Sequence, residues 1–145
     1  VNKDRAAAQA KWHANAPKKI VGTKLIIKSD KGTILLVKAA YKNSWQFPGG
    51  GADANESPID AVVREISEEL GLTIRADELQ SLGIVYDHKN DAVLCVYEYQ
   101  KMISEDTVIH IQEEELNAYQ FFGPTEVADL ISDYYVDFWK SYAKL

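Results

Sequence analysis

The sequence predicts an α/β protein in which a mixed β-sheet lies between helices, a three-layer α/β/α sandwich. Three observations carry this expectation. Short apolar runs rich in Val, Ile, Leu and Tyr recur at 19–29, 32–39, 81–87, 93–100 and 118–122. A sharply bounded amphipathic helix is expected at 58–70, between the second and third runs. A last stretch from Pro124 spaces Val127, Leu130, Ile131, Tyr134, Tyr135, Phe138 and Trp139 at helical intervals, which makes 124–145 a C-terminal helical segment whose aromatics serve packing.

Taken in order, residues 3–14 (KDRAAAQAKWHA) are alanine-rich and helix-prone, and Pro17 ends them. Residues 1–17 therefore read as a helical extension that packs on the domain or mediates homodimer contacts. The runs 19–29 and 32–39 are joined by Ser29-Asp30-Lys31-Gly32, a hairpin signal. The phrase WQFPGGGA cannot continue a helix, because Pro48 lacks an N–H and the glycines permit unusual dihedrals, so it reads as strand followed by tight loop. The helix after it has Ser57 as N-cap, Pro58 at its first position, Asp60 able to complete a capping box and Gly71 as a left-handed stop.

The 145 residues, 46% of them hydrophobic, describe one domain with enough apolar surface for a core. No apolar run approaches the roughly 20 residues that a membrane span requires, and no secretory leader is recognisable, so a cytoplasmic location is expected. The single cysteine, Cys95, sits in the apolar run AVLCVYEY and reads as core. None of His13, His88 and His110 has ligand-like spacing. Net charge is −6, divided unevenly: residues 1–42 carry ten Lys and Arg against two acids, and residues 43–145 carry six against twenty. Such a balance disfavours long nucleic acids as partners, while a basic strip beside an acidic site suits a small polyphosphate.

The informative segment is Gly50 to Leu72. At about 100° per residue, Glu65, Glu68 and Glu69 share one arc of the helix beside the apolar stripe of Ile59, Val62, Val63, Ile66 and Leu70. Like charges three and four residues apart destabilise a helix by roughly 0.2–0.5 kcal/mol per pair, so the cluster calls for a counter-charge. Carboxylates and loop carbonyls are hard oxygen donors that suit magnesium or manganese rather than zinc. The competing reading is a solvated acidic face.

Gly50, Glu56, Arg64, Glu65, Ile66, Glu68, Glu69, Gly71 and Leu72 stand in the fixed frame of the Nudix box, and WQFPGGG resembles the lead-in common in that family. The chain therefore resembles Nudix hydrolases over most of residues 20–131. The resemblance implies magnesium-dependent hydrolysis, manganese substituting, of a diphosphate bond in a nucleotide or in a nucleoside diphosphate joined to another group. It also implies that Glu65, Glu68, Glu69 and the Gly49 carbonyl ligate metal and that Arg64 orients the cluster. Glu56 reads as an Arg64 partner or as a stabiliser of the helix N-terminus. A further acid from a later loop completes the metal set or acts as base in several branches, which points to Glu115 or Glu114 in the run Glu113-Glu114-Glu115. Lys38 stands where relatives contact substrate phosphate, with Lys42 a weaker candidate. Tyr41, Tyr86, Asp87, His88, Tyr97 and Phe121 are candidates for contacts to the rest of the substrate. His88 occupies the place of the proline that marks some ADP-ribose hydrolases, and Tyr86 is too early for the tyrosine of dinucleoside-polyphosphate branches. A nucleotide-binding sensor without turnover and a hydrolase of RNA 5′ ends are the alternatives.

Overall fold

The computed structural model describes residues 2–42 and 44–145. Its elements are α1 (Lys3–Asn15), β1 (Ile20–Ile26), β2 (Ile34–Ala39), β3 (Trp45–Gln46), α2 (Pro58–Leu70), β4 (Leu79–Asp87), β5 (Ala92–Tyr99), β6 (Leu116–Phe122), α3 (Pro124–Leu130) and α4 (Asp133–Ala143). The strands form two three-stranded sheets. In the order β1-β5-β4, β1 runs parallel to β5 and β4 antiparallel to it, while the order β3-β2-β6 is antiparallel throughout.

The sheets act as one central layer because alternate side chains of each strand face different helices. Leu25, Ile27, Leu35 and Val37 pack with Val62, Ile66 and Leu70 of α2. Ile26, Ile34 and Leu36 pack on the other side with Val127, Ile131, Tyr135 and Trp139 of the C-terminal helices. Apolar residues on both faces are what a strand layer buried between helices requires. The predicted three-layer sandwich is thus present, with its strands divided between a mixed and an antiparallel sheet.

One expectation is corrected. The runs around Ser29–Gly32 do not extend into a hairpin of β1 with β2, which belong to different sheets; their antiparallel contact is confined to the turn, where Lys28 bridges Ile34, the Ser29 N–H donates to the Thr33 carbonyl at 2.8 Å and the Leu35 N–H to the Ile27 carbonyl at 3.0 Å. The turn is real, but Ser29 Oγ accepts from the N–H groups of Lys31 and Thr33, and the Asp30 N–H donates to the Ile103 carbonyl at 2.9 Å, which bends the chain out of the first sheet. Along its other edge β1 pairs in parallel with β5 over its whole length, from Ile20 with Ala92 to Ile26 with Glu98.

The extension α1 is helical, capped by Asn2, and none of its residues is buried. It does not pack on the domain, and Trp12 is 62% exposed. The C-terminal segment is two helices that break at Ile131 and Ser132, and the Trp139 indole N–H donates to the Pro124 carbonyl at 2.8 Å to tie them together. Cys95 is half-buried in β5, and burial raises its thiol pKa, as a packing role demands. Among the described residues no helix is long and apolar enough to cross a membrane.

Candidate active site

The glycine loop is laid down as an extra strand on the free edge of β1. The Thr23 N–H donates to the Gly50 carbonyl at 2.8 Å, the Leu25 N–H to the Pro48 carbonyl at 2.9 Å and the Ala52 N–H to the Val21 carbonyl at 2.9 Å. Thr23 Oγ1 adds a second bond to the Gly50 carbonyl at 2.8 Å. Contact this close leaves no room for side chains. At Gly49, with φ of 143°, a Cβ would lie 2.1 Å from the Thr23 carbonyl oxygen, and at Gly50 one would lie 2.4 Å from the Glu65 carboxyl carbon.

The helix that follows presents its carboxylates in graded environments. Ser57 caps it by accepting from the Asp60 N–H at 3.2 Å, and Gly71 ends it at φ 67°. Arg64 is the organising cation. Its Nε and Nη2 clasp both oxygens of Glu56 at 2.8 Å each, and its Nη1 donates to Glu65 at 3.0 Å and to Glu68 at 3.2 Å. A bidentate guanidinium–carboxylate pair of this kind is a strong, orienting contact. It settles Glu56 as the Arg64 partner, and the arginine holds the Glu56 carboxyl down at about 2.

Glu69 is the exception on this helix, because it is buried and its nearest donor is weak. Its carboxylate accepts the Gly49 N–H at 3.3 Å, and burial pushes it up to about 7, with Glu65 and Glu115 adding repulsion. Glu65, half-buried, is raised in the same direction by burial, against the pull of Arg64. Lys24 is the basic group that favours ionised Glu69, while burial works to lower its own ammonium pKa. Lys24 Nζ also donates to the Phe47 carbonyl at 3.2 Å.

These groups open onto a cavity of about 360 Å³ whose lining includes Lys24, Gly49, Glu65, Glu69 and Glu115. Glu115 thus reaches the same space as the helix carboxylates, from the loop before β6, whereas Glu113 and Glu114 do not line it. Glu68 is turned toward Arg64 and half-exposed, outside the lining. Lys38 lies in β2 with its ammonium over the Trp45 ring, and Tyr86 is half-exposed on β4 with its hydroxyl donating to Asp91. Neither Lys38 nor Tyr86 lines the cavity. Sequence reasoning missed Lys24. Its signal was a charge in the middle of the run IVGTKLII, where a buried strand has no solvated end for it and a partner is required.

The donor set suits a hard divalent cation in kind: carboxylate oxygens, one of them buried and undercompensated, beside a loop backbone. Among the described residues no three acidic, imidazole or thiol side chains converge on a single point, and Arg64 donates to both Glu65 and Glu68.

A strand, glycine loop and acidic helix are set into an α/β/α sandwich, with Lys24 on the same cavity as the carboxylates. A model of the NUDIX domain matches residues 18–144, and the chain belongs to the Nudix family. Its fold is similar to that of the MutT protein from Methanosarcina mazei Go1, with a TM-score of 0.75 over 89% of this chain and 97% of that one, at 20% identity. Curated relatives that the chain matches carry the name RNA pyrophosphohydrolase, those of Halorhodospira halophila and Psychrobacter cryohalolentis among them. That of Halorhodospira halophila is 46% identical over 48 residues, which are 33% of this chain and 26% of the relative. That of Psychrobacter cryohalolentis is 33% identical over 104 residues, which are 63% of this chain and 60% of the relative. The chain spans less than two thirds of the length of either.

Proposed function

We propose that the chain is a metal-dependent hydrolase that cleaves a phosphoanhydride bond in a nucleotide or in a nucleoside diphosphate linked to another group. The observation that carries this reading is the cavity in which Glu65, Glu69 and Glu115 face the Gly49–Gly51 backbone and Lys24. Magnesium, with manganese as substitute, would be held by Glu65, Glu69 and Glu115, with Glu68 and the Gly49 carbonyl as further ligands. When bound, it supplies charge neutralisation at phosphate oxygens and a more acidic water. The protein's own part is positional. Arg64 fixes the direction of Glu65 through Glu56, the Thr23–Gly50 bonds set the loop, and Lys24 offers an ammonium to a phosphate oxygen.

The test is phosphate release from a panel of nucleotides with magnesium. Glu69→Gln and Glu65→Gln are each expected to lose more than the ~10–100-fold that removal of an outer-shell partner costs. Rates in both variants equal to wild type overturn the proposal, and tight nucleotide binding with no metal-dependent turnover favours the sensor reading. The second reading, removal of pyrophosphate from RNA 5′ ends, is favoured by the names of the two relatives. A higher kcat/KM for a triphosphorylated oligonucleotide than for free nucleotides selects it.

A further inference from the structure

Residues 100–115 connect β5 to β6 with no helix or strand of their own, and a connection of that length is either a working loop or a slack one. Two fastenings keep this one taut. Near its start, Ser29 bridges Ile103, whose N–H donates to the Lys28 carbonyl at 3.0 Å. Near its end, residues 109–112 lie along the last turn of α2, where the His110 N–H donates to the Leu70 carbonyl and the Gln112 N–H to the Glu69 carbonyl, each at 3.0 Å. A helix leaves its last carbonyls without partners of its own, and the last turn of α2 carries no basic side chain to meet them. The segment therefore completes the cap that the Gly71 N–H begins on the Ser67 carbonyl. Its approach is close, since a Cβ at Gly71 would lie 3.3 Å from His110 Cβ.

The same segment delivers Glu115 to the acidic cavity. The Glu115 N–H donates to the Gln112 carbonyl at 2.9 Å and the Glu115 carbonyl accepts the Ala40 N–H at 2.7 Å, so both of its main-chain groups are engaged. Gln112 thus stands one hydrogen bond from the main chain of Glu69 and one from that of Glu115. What seats this strap is an apolar side chain. Ile109 is 7% exposed and belongs to the cluster formed by Val62, Ile66 and Leu70 of α2 with Leu116 of β6, and Ile111 packs against the same cluster. Glu113 and Glu114, in the same acidic run, do not line the cavity, so the place to which the strap brings the chain singles out Glu115, and charge alone does not.

We propose that Ile109 is a positioning residue for Glu115: anchored against α2, it holds the 109–112 strap so that Glu115 meets a divalent cation in the cavity already placed opposite Glu69. The inference rests on the reading of that cavity as the metal site. A loop carboxylate needs such an anchor, because a ligand that must be ordered on binding loses affinity by the entropy of ordering it. Helix carboxylates such as Glu65 and Glu69 are held by α2 itself.

Manganese affinity of the full chain, measured by calorimetry without substrate, tests this through a double-mutant cycle of Ile109→Ala and Glu115→Gln. Ile109→Ala is expected to weaken manganese binding ~10-fold, the loss typical when a group that holds a metal ligand is removed, and to add nothing to the loss in a Glu115→Gln background. Ile109→Val, a milder truncation that keeps the fold, is expected to fall between wild type and Ile109→Ala and to lose its effect in the same background. Amide exchange at Gln112 and Glu115 is expected to quicken in both Ile109 variants. Ile131→Ala, at 8% exposure on the far side of the sheet, controls for lost packing: it is expected to melt earlier while binding manganese and exchanging those amides as wild type does. Additive losses in the cycle, Ile109 variants with wild-type affinity, or a wild type that binds no manganese overturn the inference. Non-additive losses in a chain that hydrolyses no nucleotide would leave the strap standing and defeat the proposed function, and turnover with additive losses would do the reverse.

Discussion

A carboxylate that is 5% exposed and pushed up to about 7 makes Glu69 a destabilising residue at neutral pH unless a cation is close. Its folded pKa lies above the unfolded value of 4.5, so between those limits the folded chain holds more protons than the unfolded chain. Stability contributed by the protonated form is present below pH 4.5 and is lost as pH rises through about 7. At 1.36 kcal/mol per unit the loss has a ceiling of about 3 kcal/mol. Lys24 works in the opposite sense, since burial lowers its pKa and the folded chain gains stability as it deprotonates. The clean readout is therefore a difference between proteins. In metal-free buffer, Glu69→Gln is expected to melt at a higher temperature than wild type near pH 8 and to show no advantage near pH 5, and added magnesium is expected to close the gap at high pH. Melting curves that run parallel from about pH 5 to about pH 8 would sink the idea that Glu69 is strained.

The glycine loop and α2 form one functional element, and the three glycines do different things within it. Gly49 faces backbone: a methyl group there meets the Thr23 carbonyl at 2.1 Å, and φ of 143° is unfavourable to any side chain. Gly51 has only the Val21 carbonyl, at 4.0 Å, in the way. Gly49→Ala is therefore expected to lower the melting temperature by several degrees and to abolish turnover, at a strain cost of about 1–3 kcal/mol, whereas Gly51→Ala leaves both near wild type. Thermal melts and a single-substrate assay on the two variants check this, and equal behaviour would remove the loop's close approach as a cause. The same element shows what sequence can and cannot reveal. Ser57, Pro58, Gly71 and the arc of Glu65, Glu68 and Glu69 were legible because caps and helical faces are local properties. The grading of those carboxylates was not, since it depends on how Arg64 divides its donors among Glu56, Glu65 and Glu68. The turn at Ser29–Gly32 was legible, but the pairing of β1 with β5 and of β2 with β6 was not, because strand pairing with residues more than seventy positions away leaves no local trace. Lys24 was overlooked for the same reason: its partner Glu69 is brought to it by the fold.

Across the whole molecule, the basic first third and the acidic remainder are folded into each other. Lys19 pairs with Asp91 at 2.6 Å and Lys28 with Glu98 at 3.2 Å, so part of the excess positive charge is neutralised within the fold. Lys24 and Lys42 are left to face the cleft, while Lys3, Arg5 and Lys11 stand on α1, which buries nothing. This distribution separates the two substrate readings by their response to salt. Each phosphate of a single strand that a lysine or arginine neutralises contributes a slope of about −0.7 to the logarithm of affinity against the logarithm of salt concentration. Two cleft lysines therefore predict a slope near −1.4 for an oligonucleotide held in the cleft alone, no steeper for a mononucleotide, and unchanged when residues 2–17 are deleted. An RNA that runs on from the cleft and along α1 would engage three further cations and steepen the slope to about −3.5. Measured KM values for both substrates across a salt series, with and without the extension, decide between them. A steep slope confined to the oligonucleotide and lost on deletion would make α1 an RNA-binding arm and the 5′ end of RNA the substrate, whereas equal shallow slopes leave the small nucleotide in place.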